Sequence, residues 1–135
     1  MNEDIEFPTP TSIQNIRNII KASDILWIFT PEYNYEIPGV LKNLFDWLSR
    51  PEIKNDWKTG SVLKNKPVII SSVAGKSKGL GVRTSLNNLF ERLHMKVIAN
   101  IGISFTNEAF ITGKLNLSID DMQQIEQIIK QIKNG

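Results

Sequence analysis

Two stretches of the sequence hold residue types and spacings that could do chemistry. The first, TPEYNYEIPG (residues 30–39), follows the apolar, β-branched run ILWIFT (25–30) and precedes a helical pattern. Pro31 fixes its own φ and withholds an N–H. Pro38 suits the first turn of the helix to come. Between them, backbone N–H groups and the Tyr33 and Asn34 side chains stand at a helix entrance. That set suits a planar ligand with polar edges: amides to its heteroatoms, an aromatic beside its ring. The plainer alternative is a long surface loop with Tyr33 and Tyr35 as ordinary surface aromatics. The second stretch, SSVAGKSKGLGVR (71–83), places Gly75, Gly79 and Gly81 between an apolar run and another helical pattern. Glycines there let backbone amides approach an anion or a ring edge. It is neither a Walker A loop nor a G-x-G-x-x-G fingerprint. Lys76, Lys78 and Arg83 could meet a phosphate or could simply be solvated.

No side chain stands out as a catalytic acid, base or nucleophile. His94, the one histidine, follows a helical pattern and reads as a helix-terminating residue. Ser71 and Ser72 lack a G-x-S-x-G elbow. Lys42 and Asp46, four apart, read as a helix-surface pair. Asp120 and Asp121 favour the start of the last helix. Trp47 and Trp57 read as packing or interface residues. The absence of cysteine excludes disulfides, thiol redox chemistry and thiolate zinc sites, and no metal site is expected. If this protein moves electrons, a bound cofactor must carry them.

The elements that must position these loops alternate. ILWIFT (25–30), KPVIISSV (66–73) and KVIANIGI (96–103) read as strands, the first two buried on both faces. Ile13, Ile16, Ile19 and Ile20 mark a helix that Thr11 or Ser12 could cap. Val40, Leu41, Leu44, Phe45 and Leu48 line a second. Val82, Leu86, Leu89, Phe90 and Leu93 line a third. Met122, Ile125, Ile128, Ile129 and Ile132 line the last, with Ser118 as its cap. Buried strands between amphipathic helices imply an α/β fold with a parallel sheet and helices on both faces. In such sheets ligands bind beyond the carboxyl ends of the strands, where both loops lie. Three strands make a narrow parallel sheet, and the pattern opens on a helix.

The 135 residues suffice for one domain, residues 1–135, with a single core. With 22% charged residues and a net charge of +2, no basic block marks a nucleic-acid surface. No apolar run is long enough to span a membrane, and the acidic start MNEDIEF does not read as a signal peptide. The expected compartment is the cytoplasm.

A strand, then T-P-E-Y-N-x-x-I-P-G-x-L-K-N-x-x-D-W-x-S-R-P, then K-P-V and a strand into a glycine loop, closely resembles the NADPH-dependent FMN reductase family of flavodoxin-like proteins. That family includes chromate, quinone and azo-dye reductases. The resemblance implies FMN and NAD(P)H as cofactors and hydride transfer through the flavin to a quinone, azo compound, free flavin or metal oxyanion. It implies that Pro31, Glu32, Tyr33 and Asn34 wrap the isoalloxazine ring, with Ala74, Gly75 and Gly79 on its other side. It also implies a homo-oligomer through the helix at 39–49. Two departures matter. Tyr35 and Glu36 stand where small residues are usual, which narrows access above the flavin. The family's opening strand, Ser/Arg phosphate loop, helix and second strand have no counterpart here. The expectation is therefore an N-terminally truncated, partial flavodoxin-like domain that binds FMN weakly alone. The rival expectation is a non-catalytic remnant or assembly module whose sheet an oligomer or partner chain completes.

Overall fold

A computed structural model describes residues 1–134. The expected α/β architecture is borne out. After a 3-10 turn at Glu3–Ile5 the order is α1 (Thr11–Ala22), β1 (Leu26–Pro31), α2 (Gly39–Leu48), β2 (Pro67–Ala74), α3 (Leu80–Arg92), β3 (Lys96–Ser104), α4 (Asn107–Thr112) and α5 (Ile119–Asn134). The three strands form one parallel sheet in the order β1-β2-β3. Leu26 pairs with Val68 and Pro31 with Val73. A register shift between Val68 and Ile69 leaves Ile98 as an extra residue on β3.

Side chains alternate across the sheet, so each face of β2 feeds a separate core. Val68 and Ile70 point into the larger one, with Ile20 of α1, Phe45 and Leu48 of α2, and Val82, Leu86 and Phe90 of α3. Ile69 points the other way, toward Ile101 and Ile103 of β3 and Ile128 of α5. Three helices thus cover one face and a single long helix covers the other. On that second face an apolar depression of about 540 Å³ stays open beside α5, lined by Trp27, Phe29, Val73, Ile101 and Ile103 among others.

Burial corrects one expectation. Only β2 is buried on both faces. β1 is an edge strand, and Phe29 is 73% exposed, stacked on Trp27 at 5.2 Å between ring centroids. An apolar run alone does not distinguish an edge from a centre, because neighbours distant in sequence decide which strand is flanked.

Helix ends bring further corrections. Neither Thr11 nor Ser12 caps α1; Pro10 holds the N-cap position without a side-chain bond. Pro38 likewise sits at the N-cap of α2, one residue before its first turn. Val40 lies off the buried stripe at 86% exposure, while Phe45, Trp47 and Leu48 are buried within the chain. Ser118 does cap α5: its Oγ accepts from the Asp121 N–H at 3.1 Å, and Asp121 Oδ2 accepts from the Ser118 N–H at 3.2 Å. Lys42 and Asp46 pair at 2.6 Å. α4 was not expected; Thr106 Oγ1 opens it by accepting from the Ala109 N–H.

Arg17 also escaped notice. It is almost fully buried, and it donates to Thr9 Oγ1 at 3.1 Å and to the Trp47 carbonyl at 3.2 Å. These bonds tie α1 to the end of α2. Beside it Arg50 grips Glu6 with two bonds, 2.7 and 3.2 Å, and lies 4.8 Å from the centre of the Trp57 ring. That double hydrogen bond holds the Glu6 carboxyl below its usual range. Burial lowers the Arg17 guanidinium from its ordinary value.

Candidate functional site

Both chemically suggestive loops leave the carboxyl ends of neighbouring strands, β1 and β2. The parallel pairing brings those ends together: Pro31 stands opposite Val73. The first loop is a tight hairpin. Glu36 N–H donates to the Tyr33 carbonyl at 2.9 Å, and Tyr33 N–H returns a longer bond to Glu36 at 3.4 Å. Asn34 and Tyr35 between them have φ of +52° and +65°. Two successive positive φ values are what a type I′ hairpin turn requires.

The second loop is braced from three sides. Ser72 Oγ donates to the Lys78 carbonyl at 2.8 Å. Lys78 N–H donates to the Gly75 carbonyl at 3.0 Å, and Ser104 Oγ donates to that same carbonyl at 3.2 Å. Gly79, with φ +70°, enters α3 from the left-handed region, and a Cβ there would stand 2.4 Å from Ser72 Oγ. That contact lies on the β2 side of the loop.

Glu32 locks the loops together. Its Oε2 accepts from the Val82 N–H at 3.0 Å and its Oε1 accepts from Ser77 Oγ at 2.9 Å. A carboxylate on an unpaired N–H in the first turn of a helix is favourable twice over, as a charge-assisted hydrogen bond and as an anion at the positive end of the dipole. Gly81 makes the approach possible, since it offers no Cβ to the Tyr35 carbonyl or to Glu32.

The loops enclose a concavity of about 690 Å³. Of the seven residues nominated from the sequence, Pro31, Glu32, Tyr33, Asn34, Ala74 and Gly75 line it, and Gly79 does not. Tyr35, Val73, Lys76, Ser77 and Phe105 complete the lining. Phe105 was missed although it follows the end of β3, where the strand-end rule points. Nothing stands within 4 Å of where a Gly75 Cβ would be, so its backbone faces open space. Tyr33 and Pro31 line the concavity beside it. Arg83 is elsewhere: it packs against Gly102 of β3 and donates to Asn100 Oδ1 at 2.9 Å, and burial lowers its guanidinium from the ordinary value. His94 sits at the far end of α3 with φ +56°, its N–H on the Glu91 carbonyl, as a helix-terminating residue.

A parallel α/β sheet with helices on both faces and a concavity at its strand ends fits the flavodoxin-like class. Comparison with known proteins narrows this. The family model for NADPH-dependent FMN reductase matches residues 1–109. The chain belongs to that family. It is 40% identical over 121 residues to a quinone reductase of Pseudomonas putida, covering 88% of this chain and 59% of that one. It is 35% identical over 83 residues to a 2-hydroxy-1,4-benzoquinone reductase of a Burkholderia species, covering 60% and 45%. Among solved structures it is similar to FerB, a flavoenzyme NAD(P)H:(acceptor) oxidoreductase of Paracoccus denitrificans, with TM-score 0.68 and 27% identity over 81% of this chain and 58% of that one. The chain thus spans about half the length of these relatives.

Proposed function

We propose that this chain is part of a flavoprotein that holds FMN between the 31–36 hairpin and the 74–79 loop and uses NAD(P)H to reduce a quinone-type acceptor. The observation that carries the reading is the meeting of both loops around one concavity at the strand ends. The family membership and the relatives' names support it over a non-catalytic assembly module. FMN, when bound, would supply the redox chemistry of carrying a hydride equivalent from NAD(P)H to the acceptor. The protein's own residues bind and orient. Tyr33 and Pro31 flank the ring, Asn34 offers an amide to its polar edge, and Ala74 and Gly75 present backbone to its other side. Glu32 acts through the loops, holding them in register. Gly79 contributes by letting the second loop turn into α3. The cytoplasm is the compartment that fits, and one partial flavodoxin-like domain is the unit.

Gly75 gives the cleanest test. Its Cβ position is open, so Gly75→Leu is expected to leave the melting temperature within a degree or two while filling the concavity. FMN affinity, read by flavin fluorescence quenching, should fall about tenfold or more, the equivalent of about 1.4 kcal/mol. An unchanged titration would move the flavin elsewhere, and a wild-type chain that never quenches FMN would sink the reading.

We further propose a homo-oligomer. Leu44, Phe45 and Trp47 of the 39–49 helix do not support it, since Phe45 and Trp47 are spent inside the chain. The free edge of β1 beside exposed Phe29 supports it better, because such an edge templates pairing with another strand. Phe29→Lys should lower the mass seen by light scattering at micromolar concentration while the protein stays folded. An unchanged oligomer would return the interface to α2; a monomeric wild type would end the proposal.

A further inference from the structure

We propose that Tyr35 is a specificity-determining residue, whose ring forms one wall of the concavity for a second planar, uncharged aromatic molecule. The inference rests on the reading of this concavity as a ring-binding site. It begins from a backbone that a tyrosine should avoid. Tyr35 is the second central residue of the hairpin turn, with φ +65°. Glycine or asparagine is at ease there, and a bulky side chain is an outlier.

Packing does not explain the choice. Tyr35 is 73% exposed, so its ring earns little from burial. What Gly81 makes room for is the backbone of the turn. A Cβ on Gly81 would stand 2.9 Å from the Tyr35 Cβ and 2.4 Å from its carbonyl oxygen, so the glycine is needed for the turn to rest on α3. Strained conformations that surroundings over-determine cluster where ligands are held.

The chemistry of the wall follows from its lining. Tyr35 faces the same space as Tyr33, Phe105, Val73 and Pro31. The charged side chains there are Glu32 and Lys76, and both Glu32 oxygens are engaged by Ser77 and Val82. Asn34 and Ser77 add polar groups, but the aromatic rings favour offset stacking with another ring. They offer little to a small oxyanion, which needs converging donors and positive charge.

The test uses the chain as it exists, without flavin, and 1,4-naphthoquinone as probe, with binding read by ligand-observed NMR. Tyr35→Gly and Tyr35→Asn should raise the dissociation constant about two- to tenfold, and Tyr35→Phe should leave it unchanged. Tyr35→Gly should also raise the melting temperature by about 2–4 °C, since it removes the backbone strain and little packing. Stability and affinity moving in opposite directions is a signature that a merely structural tyrosine would not produce. No binding by the wild type, equal affinity in Tyr35→Gly, or a lowered melting temperature in Tyr35→Gly would each overturn the inference. Flavin fluorescence with FMN, run in parallel, separates the two readings. Loss of FMN binding with the naphthoquinone pattern intact would sink the flavin assignment and keep Tyr35. FMN binding without a Tyr35 effect on naphthoquinone would do the reverse.

Discussion

Gly81→Ala is expected to cost this protein its ligand site and part of its stability together. A Cβ at 81 would stand 2.4 Å from the Tyr35 carbonyl oxygen, 2.9 Å from the Tyr35 Cβ and 3.0 Å from Glu32 Oε2. The shortest of these contacts is to backbone, so no side-chain rotation relieves it. The hairpin must lift off α3. Lifting it stretches the bonds from Glu32 to the Val82 N–H and to Ser77 Oγ. Hydrogen bonds to a charged group are worth roughly 1.5–3 kcal/mol each, discounted here because Glu32 is partly exposed. A stability loss of about 1–3 kcal/mol follows, with FMN affinity down about tenfold or more because one wall of the concavity has moved. Gly39→Ala is the control. No atom lies within 4 Å of its Cβ position, and alanine suits a helix start, so it should be neutral or slightly stabilising. Thermal melts and FMN titrations of both variants decide the matter. A Gly81→Ala protein with wild-type melting and wild-type affinity would show that the loops are not locked as described.

That lock was beyond the reach of sequence reading. Glu32 is 45 residues from Ser77 and 50 from Val82, so no local period or motif links them. Resemblance nominated Glu32 as a ring contact, whereas its carboxylate serves the second loop and α3. Arg17 is similar. It sits one residue after Ile16 on an amphipathic helix and reads as a surface charge, yet it is buried against Thr9 and the Trp47 carbonyl, the latter 30 residues on. What was legible depended on nearest neighbours or on burial period. The three strands came from β-branched runs and shifted by only a residue at their bounds. Ser118 came from its place just before the last helical pattern. The loops themselves came from prolines and glycines at strand ends, and the strand-end rule alone would have added Phe105. α4 failed because six residues carry too little pattern to register. The expected burial of β1 on both faces failed because composition records how apolar a strand is, not what covers it.

Phe90→Ala should produce the largest loss of stability, and its effect reaches the site. Phe90 is fully buried and meets Phe45 edge-on at 4.8 Å between centroids. Phe45 belongs to α2 and Phe90 to α3. α2 begins just past the first loop, and α3 begins with the second. The ring pair therefore sets the distance between the helices on which both loops are mounted. Removing a buried phenyl costs about 3–5 kcal/mol through lost transfer energy and the cavity left behind, with the edge-to-face pair lost as well. Against a total stability of about 5–15 kcal/mol that is a large share. The melting temperature should fall by on the order of 10 °C or more. Phe90→Leu keeps most of the volume and should lose about 1–2 kcal/mol. In both variants FMN affinity should fall less than in Gly81→Ala while the protein remains folded, because helix spacing relaxes gradually but a backbone clash does not. Urea unfolding and flavin titration below the transition give the two numbers. If Phe90→Ala melted within a few degrees of the wild type, the larger core would not be what fixes these helices. The loops would then depend on the Glu32 lock alone.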